Sequence, residues 1–67
     1  MIIINGEPSD AVAPGATIAQ LLDGLDVDGE RGVAVAVDAE VIPRGEWEAF
    51  AIADGARVEV LIAVQGG

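Results

Sequence analysis

Residues 17–25 are the one stretch of the chain with the periodicity of an amphipathic helix, and they constrain the fold more than any other feature. Thr17 and Gln20 have the spacing of a capping box, which predicts that the helix begins at this threonine. The large apolar residues then recur at i, i+3, i+4 and i+7, on one helix face: Ile18, Leu21, Leu22 and Leu25. Because 67 residues can enclose only one small core, we expect this helix to pack on one face of a sheet.

The residues before the helix predict a hairpin. Ile2, Ile3 and Ile4 form a β-branched run that ends at Asn5-Gly6, a dipeptide suited to a tight turn. Residues 7–9 then extend the connection, and Asp10 to Ala13 are interpreted as the second strand. Prolines on both sides of that second segment predict that it lies at an edge of the sheet.

The residues after the helix predict three more strands. Residues 33–37 alternate valine with alanine, which predicts a central strand whose valines face the helix. A turn at 38–40 and a short strand at 41–43 follow. Residues 44–50 are interpreted as a helical turn that closes the core with the two aromatic residues of the chain, Trp47 and Phe50.

The last strand is predicted to run from Arg57 to Val64. One of its faces is apolar and is assigned to the core: Val58, Val60, Ile62 and Val64. The other face is polar or small except for Leu61. An apolar side chain in that position either covers the outer face of the sheet or marks a surface for docking a partner. We favour the docking surface and assign Arg57, Glu59 and Leu61 to it.

The element order β, β, α, β, β, β predicts an α+β fold, a sheet of four to five strands with one main helix on one face. We expect the first and last strands to lie side by side in the middle of the sheet. Residues 1–63 would form this domain, and residues 64–67 would form a flexible tail of Val64, Gln65, Gly66 and Gly67. Two final residues without side chains after a core strand are typical either of a frayed or added end or of a carboxylate, that of Gly67, that is presented to another protein.

The composition excludes most chemistry by the chain itself. Cysteine, histidine and lysine are absent, so there is no thiol nucleophile, no imidazole base and no Schiff-base amine. The same absence excludes an iron–sulfur ferredoxin and a histidine or thiolate metal site. We therefore expect no catalytic residues, no bound cofactor and no metal.

The charge of the chain favours a protein partner. Twelve acidic residues and three arginines give a formal net charge of −9, which would repel nucleic acid and attract a basic protein surface. No apolar run approaches the roughly 18 residues of a membrane span, and the short N-terminal isoleucine run lacks a basic region typical of signal peptides. The expected location is the cytoplasm.

Several segments together resemble one family, the ubiquitin-like sulfur carriers of thiamine biosynthesis known as the ThiS family. The resemblance covers nearly the whole chain and rests on the isoleucine strand ending at Asn5-Gly6, Thr17-Ile18 with Leu21-Leu22, Val33–Val37, Val41–Arg44 with Trp47, Asp54-Gly55 and Val64–Gly67. It implies the ubiquitin-like β-grasp fold. Asp38 departs from the family, in which many members have asparagine in this turn.

The resemblance also implies a function. A ThiF-type activating enzyme related to E1 enzymes would use ATP and Mg²⁺ to adenylate the carboxylate of Gly67, and sulfur from a persulfide donor would give a thiocarboxylate. A thiazole synthase of the ThiG type would be the acceptor.

Three alternatives remain open at this point. The small subunit of molybdopterin synthase has the same fold and sulfur chemistry with a different acceptor. A β-grasp module that binds partners without covalent chemistry is the second, and a modifier conjugated to other proteins is the third.

Overall fold

The computed structural model describes residues 1–27 and 32–62, and its element order is the predicted one. The elements are β1 (Ile2–Ile4), β2 (Glu7–Ser9), α1 (Ile18–Gly24), β3 (Val33–Val37), β4 (Glu40–Val41), a 3-10 turn (Arg44–Glu46) and β5 (Arg57–Ile62). Residues 28–31, which follow the helix, lie outside the described residues. Residues 63–67, which include the end of the predicted last strand and the predicted tail, also lie outside them.

The strands form one mixed five-stranded sheet in the order β2-β1-β5-β3-β4. β1 and β5 are parallel neighbours, with Ile3 opposite Arg57 and Ile4 opposite Val58, whereas the other pairs are antiparallel. The prediction that the first and last strands lie side by side is therefore confirmed. β3 is flanked on both sides, by β5 and β4, as its valine–alanine pattern indicates.

The helix begins at the predicted capping box. The Thr17 hydroxyl accepts from the Gln20 amide at 3.2 Å, and the Gln20 side chain accepts from the Thr17 amide at 2.8 Å. The first-turn amides of Ile18 and Ala19 have no acceptor within the helix. They donate to the carbonyls of Phe50 and Trp47, at 3.1 and 3.0 Å respectively. The start of the helix is thus joined to the segment before β5, and its first amides all have partners.

The core lies between α1 and the inner face of the sheet. The helix contributes Ile18, Leu21 and Leu22, all buried, while Leu25 is only half-buried because the helix ends at Gly24. The sheet contributes its alternate residues, which are Ile2, Ile4, Val35, Val37, Val58 and Val60. The predicted inward direction of the β3 valines is confirmed for Val35 and Val37, and Val33 at the strand end is half-buried.

Trp47 closes one end of this core, as predicted. Its side chain is 6% exposed, and its indole N–H donates to the Ile42 carbonyl at 2.9 Å. Phe50 is half-buried and packs against the core. The indole therefore has both an apolar environment and a hydrogen-bond partner, which is the arrangement expected of a structural anchor.

The predicted second strand was wrong in position. The strand is Glu7–Ser9, which pairs with β1, and residues 10–13 are irregular. The reason is the turn: Asn5 and Gly6 have φ values of 51° and 85°, so two residues reverse the chain and pairing resumes at Glu7. The strand does lie at an edge of the sheet, with Pro8 in it.

Two other strand predictions also need correction. β4 is Glu40–Val41 rather than 41–43, because a two-residue turn at Asp38 and Ala39, both with positive φ, starts the strand earlier. Ile62 does not belong to the core, since it is 59% exposed at the end of β5, beyond the cover of the helix.

Asp54 and Gly55 form the turn before β5, and this turn also holds the start of the chain. The N-terminal ammonium pairs with the Asp54 carboxylate, and the Gly55 amide donates to the Met1 carbonyl at 3.2 Å. The hydrogen bond and charge of the ammonium hold the pKa of the Asp54 carboxyl below its ordinary value.

Candidate functional site

The predicted working end of the molecule, Val64 to Gly67, lies outside the described residues, so the described part of the site is the strand that leads to it. β5 is the central strand of the sheet and its described part ends at Ile62. Five residues then separate Ile62 from the terminal carboxylate of Gly67.

Leu61 has the exposure that the sequence predicts for it. It is 66% exposed on the outer face of the sheet, opposite Ala34 of β3. The groove beside it has a volume of about 350 Å³ and is lined by Gly32, Val33, Ala34, Leu61 and Ile62. This groove is apolar in its side chains and lies at the end of the sheet from which the chain continues toward Gly67.

Arg57 and Glu59, the other two residues assigned to the docking surface, line a different cavity. It has a volume of about 500 Å³ and lies toward the start of β5, with Ile3, Gly6, Asp38, Ala39 and Val58 as its other lining residues. The three predicted residues therefore share one face of the sheet but do not line one cavity. Leu61 borders the apolar groove, whereas Arg57 and Glu59 border the second cavity.

The position of Arg57 is fixed by the turn between β3 and β4. The Asp38 amide donates to the Arg57 carbonyl at 2.8 Å, and the Arg57 amide donates to the Asp38 carboxylate at 3.0 Å. Asp38, the residue that departs from the resemblance, thus extends the β3–β5 pairing by one step through its side chain. Because both bonds use the backbone of Arg57, its guanidinium is left for other contacts.

Asn5 makes a contact that sequence reasoning missed. Its side-chain amide donates to the Val60 carbonyl at 3.3 Å, and its side-chain oxygen accepts from the Val60 amide at 2.8 Å. The carboxamide therefore pairs with β5 at the point where the backbone of β1 turns away. The Asn-Gly dipeptide signals only a turn, and no local pattern shows that the side chain reaches a residue 55 positions further on.

The described residues contain neither a cluster of metal-ligating side chains nor a helix that could cross a membrane. Residues 1–27 and 32–62 hold no group of three or more His, Cys, Asp or Glu side chains arranged around a common point where a metal could bind. Across the same residues, no helix has the length and apolar character needed to span a bilayer.

A mixed five-stranded sheet with one helix packed on one face, and a central last strand leading to a terminal Gly-Gly, defines a ubiquitin-like β-grasp protein. The family model that matches is that of the ThiS family, over residues 2–67. The chain belongs to this family, whose members are sulfur carriers of thiamine biosynthesis.

Relatives of known name agree with this assignment. The sulfur carrier protein ThiS of Escherichia coli K12 is 28% identical over 67 residues, which is the full length of both chains. A thiazole synthase of Paramagnetospirillum magneticum is 35% identical over 66 residues, 98% of this chain but only 20% of that protein. The crystal structure of the thiamine biosynthesis protein ThiS from Geobacter metallireducens is 34% identical, with a TM-score of 0.80 over 98% of this chain and 97% of the other.

We predict that the Asn5 side chain stabilises the fold beyond its role in the turn. Asn5→Gly keeps a residue that adopts positive φ readily but removes both bonds to Val60, and the unfolding free energy should fall by about 1–3 kcal/mol. Urea denaturation measures this change. Asn5→Asp, which also tolerates positive φ and retains an oxygen acceptor for the Val60 amide, is the matched control and should lose less. Equal stability of Asn5→Gly and the parent chain would contradict the prediction.

Proposed function

We propose that the carboxylate of Gly67 is the group that carries sulfur. An activating enzyme of the ThiF type adenylates it, a persulfide donor converts it to a thiocarboxylate, and the thiocarboxylate donates sulfur for thiazole formation in thiamine biosynthesis. The observation that carries the proposal is the extent of the family match, which continues through Val64-Gln65-Gly66-Gly67 to residue 67. The full-length match to the E. coli carrier supports it.

The chemistry requires activation because a carboxylate is a poor electrophile. One oxygen of the Gly67 carboxylate would attack the α-phosphorus of ATP and release pyrophosphate, with Mg²⁺ held by the activating enzyme. The terminal sulfur of a persulfide would then attack the carbonyl carbon and displace AMP. Cleavage of the resulting acyl disulfide by a thiol would leave the thiocarboxylate on Gly67.

For these steps the chain supplies a surface that partners recognise and the carboxylate that reacts, and its partners supply the catalytic groups. It has no cysteine, histidine or lysine, so the nucleophile, the general base and the groups that stabilise an oxyanion must come from the enzymes that act on it. It is in this sense a protein co-substrate. Gly66 and Gly67 lack a Cβ, which allows the backbone to enter a narrow channel, at an entropic cost on binding.

A thiazole synthase is the acceptor that the comparisons support. In Paramagnetospirillum magneticum a protein of that name contains a segment similar to 98% of this chain, with the remaining four fifths of its length outside the match. A carrier-like segment and the rest of a synthase thus occur in one polypeptide. The named relatives all belong to thiamine biosynthesis, which favours this acceptor over a molybdopterin synthase. The cytoplasmic location stays a prediction from the sequence.

We propose that partners dock on the outer face of β5 near Leu61. This residue is 66% exposed and borders the apolar groove at the end of the sheet nearest the tail. The net charge of −9 favours a basic rim around the complementary surface of the partner, and this charge acts mainly on the association rate.

We predict that deleting Gly67 abolishes activation without affecting the fold. The carboxylate would then end about 3.5 Å short of its place in the activating enzyme, a displacement large enough to prevent adenylation. ATP–pyrophosphate exchange with the activating enzyme of the host measures this loss. Urea denaturation of the same variant should match that of the full chain. Undiminished exchange with the shortened chain would contradict the proposal.

We predict that Leu61→Asp weakens binding to the activating enzyme and to thiazole synthase more than it lowers stability. The side chain is exposed, so the unfolding free energy should change by no more than about 0.5 kcal/mol, whereas loss of an apolar anchor should cost about 1–2 kcal/mol of binding. Titration calorimetry measures the affinity. Val41→Asp is the matched control, since Val41 is 70% exposed on the same face but lies on the far edge strand. An affinity unchanged by Leu61→Asp would show that the interface lies elsewhere.

A further inference from the structure

β5 pairs with β3 over a longer stretch than it pairs with β1. On the β3 side, pairing continues to the end of the strand, with Val33 opposite Ile62. On the β1 side, the strand register ends at Ile4 opposite Val58, and Asn5 adds one more step through its side chain at Val60. Within the described residues, no strand lies on the β1 side of β5 at Ile62.

The direction of the backbone groups of Ile62 follows from the bonds of its neighbours. The amide and carbonyl of Arg57 point to the β3 side, where both bond to Asp38. Those of Val60 point to the β1 side, where both bond to Asn5. Because these directions alternate along a strand, the amide and carbonyl of Ile62 point to the β1 side. They face the open part of the edge, just past the Asn5 side chain.

We infer that this open edge at Ile62 receives an extended strand of thiazole synthase, which pairs with the backbone of Ile62 and continues the line of β1 past the Asn5-Gly6 turn. The inference rests on the proposed function. A synthase that takes sulfur from Gly67 must come close to Ile62, since five residues span at most about 18 Å. A strand added to a sheet edge gains main-chain hydrogen bonds and thereby fixes the register of the complex.

Two features around Ile62 suit such a strand. The side chains of Leu61 and Ile62 are 66% and 59% exposed and lie on opposite faces of the sheet, so an incoming strand with apolar residues would find a contact on each face. The Asn5 carboxamide occupies the preceding pairing position. It therefore sets the point at which the added strand begins, immediately beyond Val60.

Amide hydrogen exchange of the carrier in complex with thiazole synthase tests the inference. The complex is incubated in deuterated buffer and then dissociated, and the retained protons are read on the free carrier by NMR. We expect exchange of the Ile62 amide to slow by about tenfold or more on complex formation. The Leu61 amide points to β3 and is the internal control, expected to be protected in both states. An Ile62 amide that exchanges equally fast in the saturated complex would overturn the inference.

A matched pair of variants separates hydrogen bonding from simple occlusion. Ile62→Pro and Ile62→Ala both remove the isoleucine side chain, but only proline also removes the amide donor, which points away from β3. The β3–β5 bonds remain, and affinity for thiazole synthase should fall about five- to tenfold further with Ile62→Pro than with Ile62→Ala. Equal affinities of the two variants would overturn the inference. Both outcomes are independent of the proposed function, because ATP–pyrophosphate exchange and sulfur transfer from Gly67 would still occur if no strand pairs at Ile62.

Discussion

The pairing of β5 with both of its neighbours is the interaction on which the rest of the structure depends. β5 lies between β1 and β3, and it contributes Val58 and Val60 to the core beneath the helix. The first and last described strands meet here, since β1 and β5 are parallel neighbours. A parallel pair of this kind needs a long crossover connection, and the helix is part of that connection. The strand that holds the core together is therefore also the strand that precedes the proposed sulfur-carrying residue, Gly67.

This arrangement explains how a chain without reactive side chains can take part in a covalent reaction. The buried residues form the core, and in our proposal the described surface offers a face and an edge of the sheet to partners. The side chains that mark this surface are Leu61 and Ile62, which are exposed where the core ends. A small sheet with one helix is sufficient for the proposed role, in which the partner enzymes supply the catalytic groups.

The sequence predicted the parts of the fold that depend on local patterns. The capping box at Thr17, the alternation in Val33–Val37 and the Asn5-Gly6 turn are all determined by residues close together in the chain. Errors arose where tertiary context decides. The prolines around residues 10–13 predict the second strand there, yet the tight turn gives the pairing position to Glu7–Ser9. Ile62 lies on the same face of β5 as the buried Val58 and Val60, yet it is exposed at the end of the strand. The contact of Asn5 with Val60 joins residues 55 apart and has no local signature.

The central claim is that Gly67 carries sulfur on its carboxylate, and intact mass spectrometry of the protein isolated from its host tests it most directly. The account predicts a population heavier than the unmodified chain by the difference between one sulfur and one oxygen atom. Fragmentation should locate that difference at Gly67, and it should disappear when the gene for the activating enzyme is deleted. A protein recovered only at its unmodified mass under conditions of active thiamine synthesis, or an exchange located at another residue, would contradict the account.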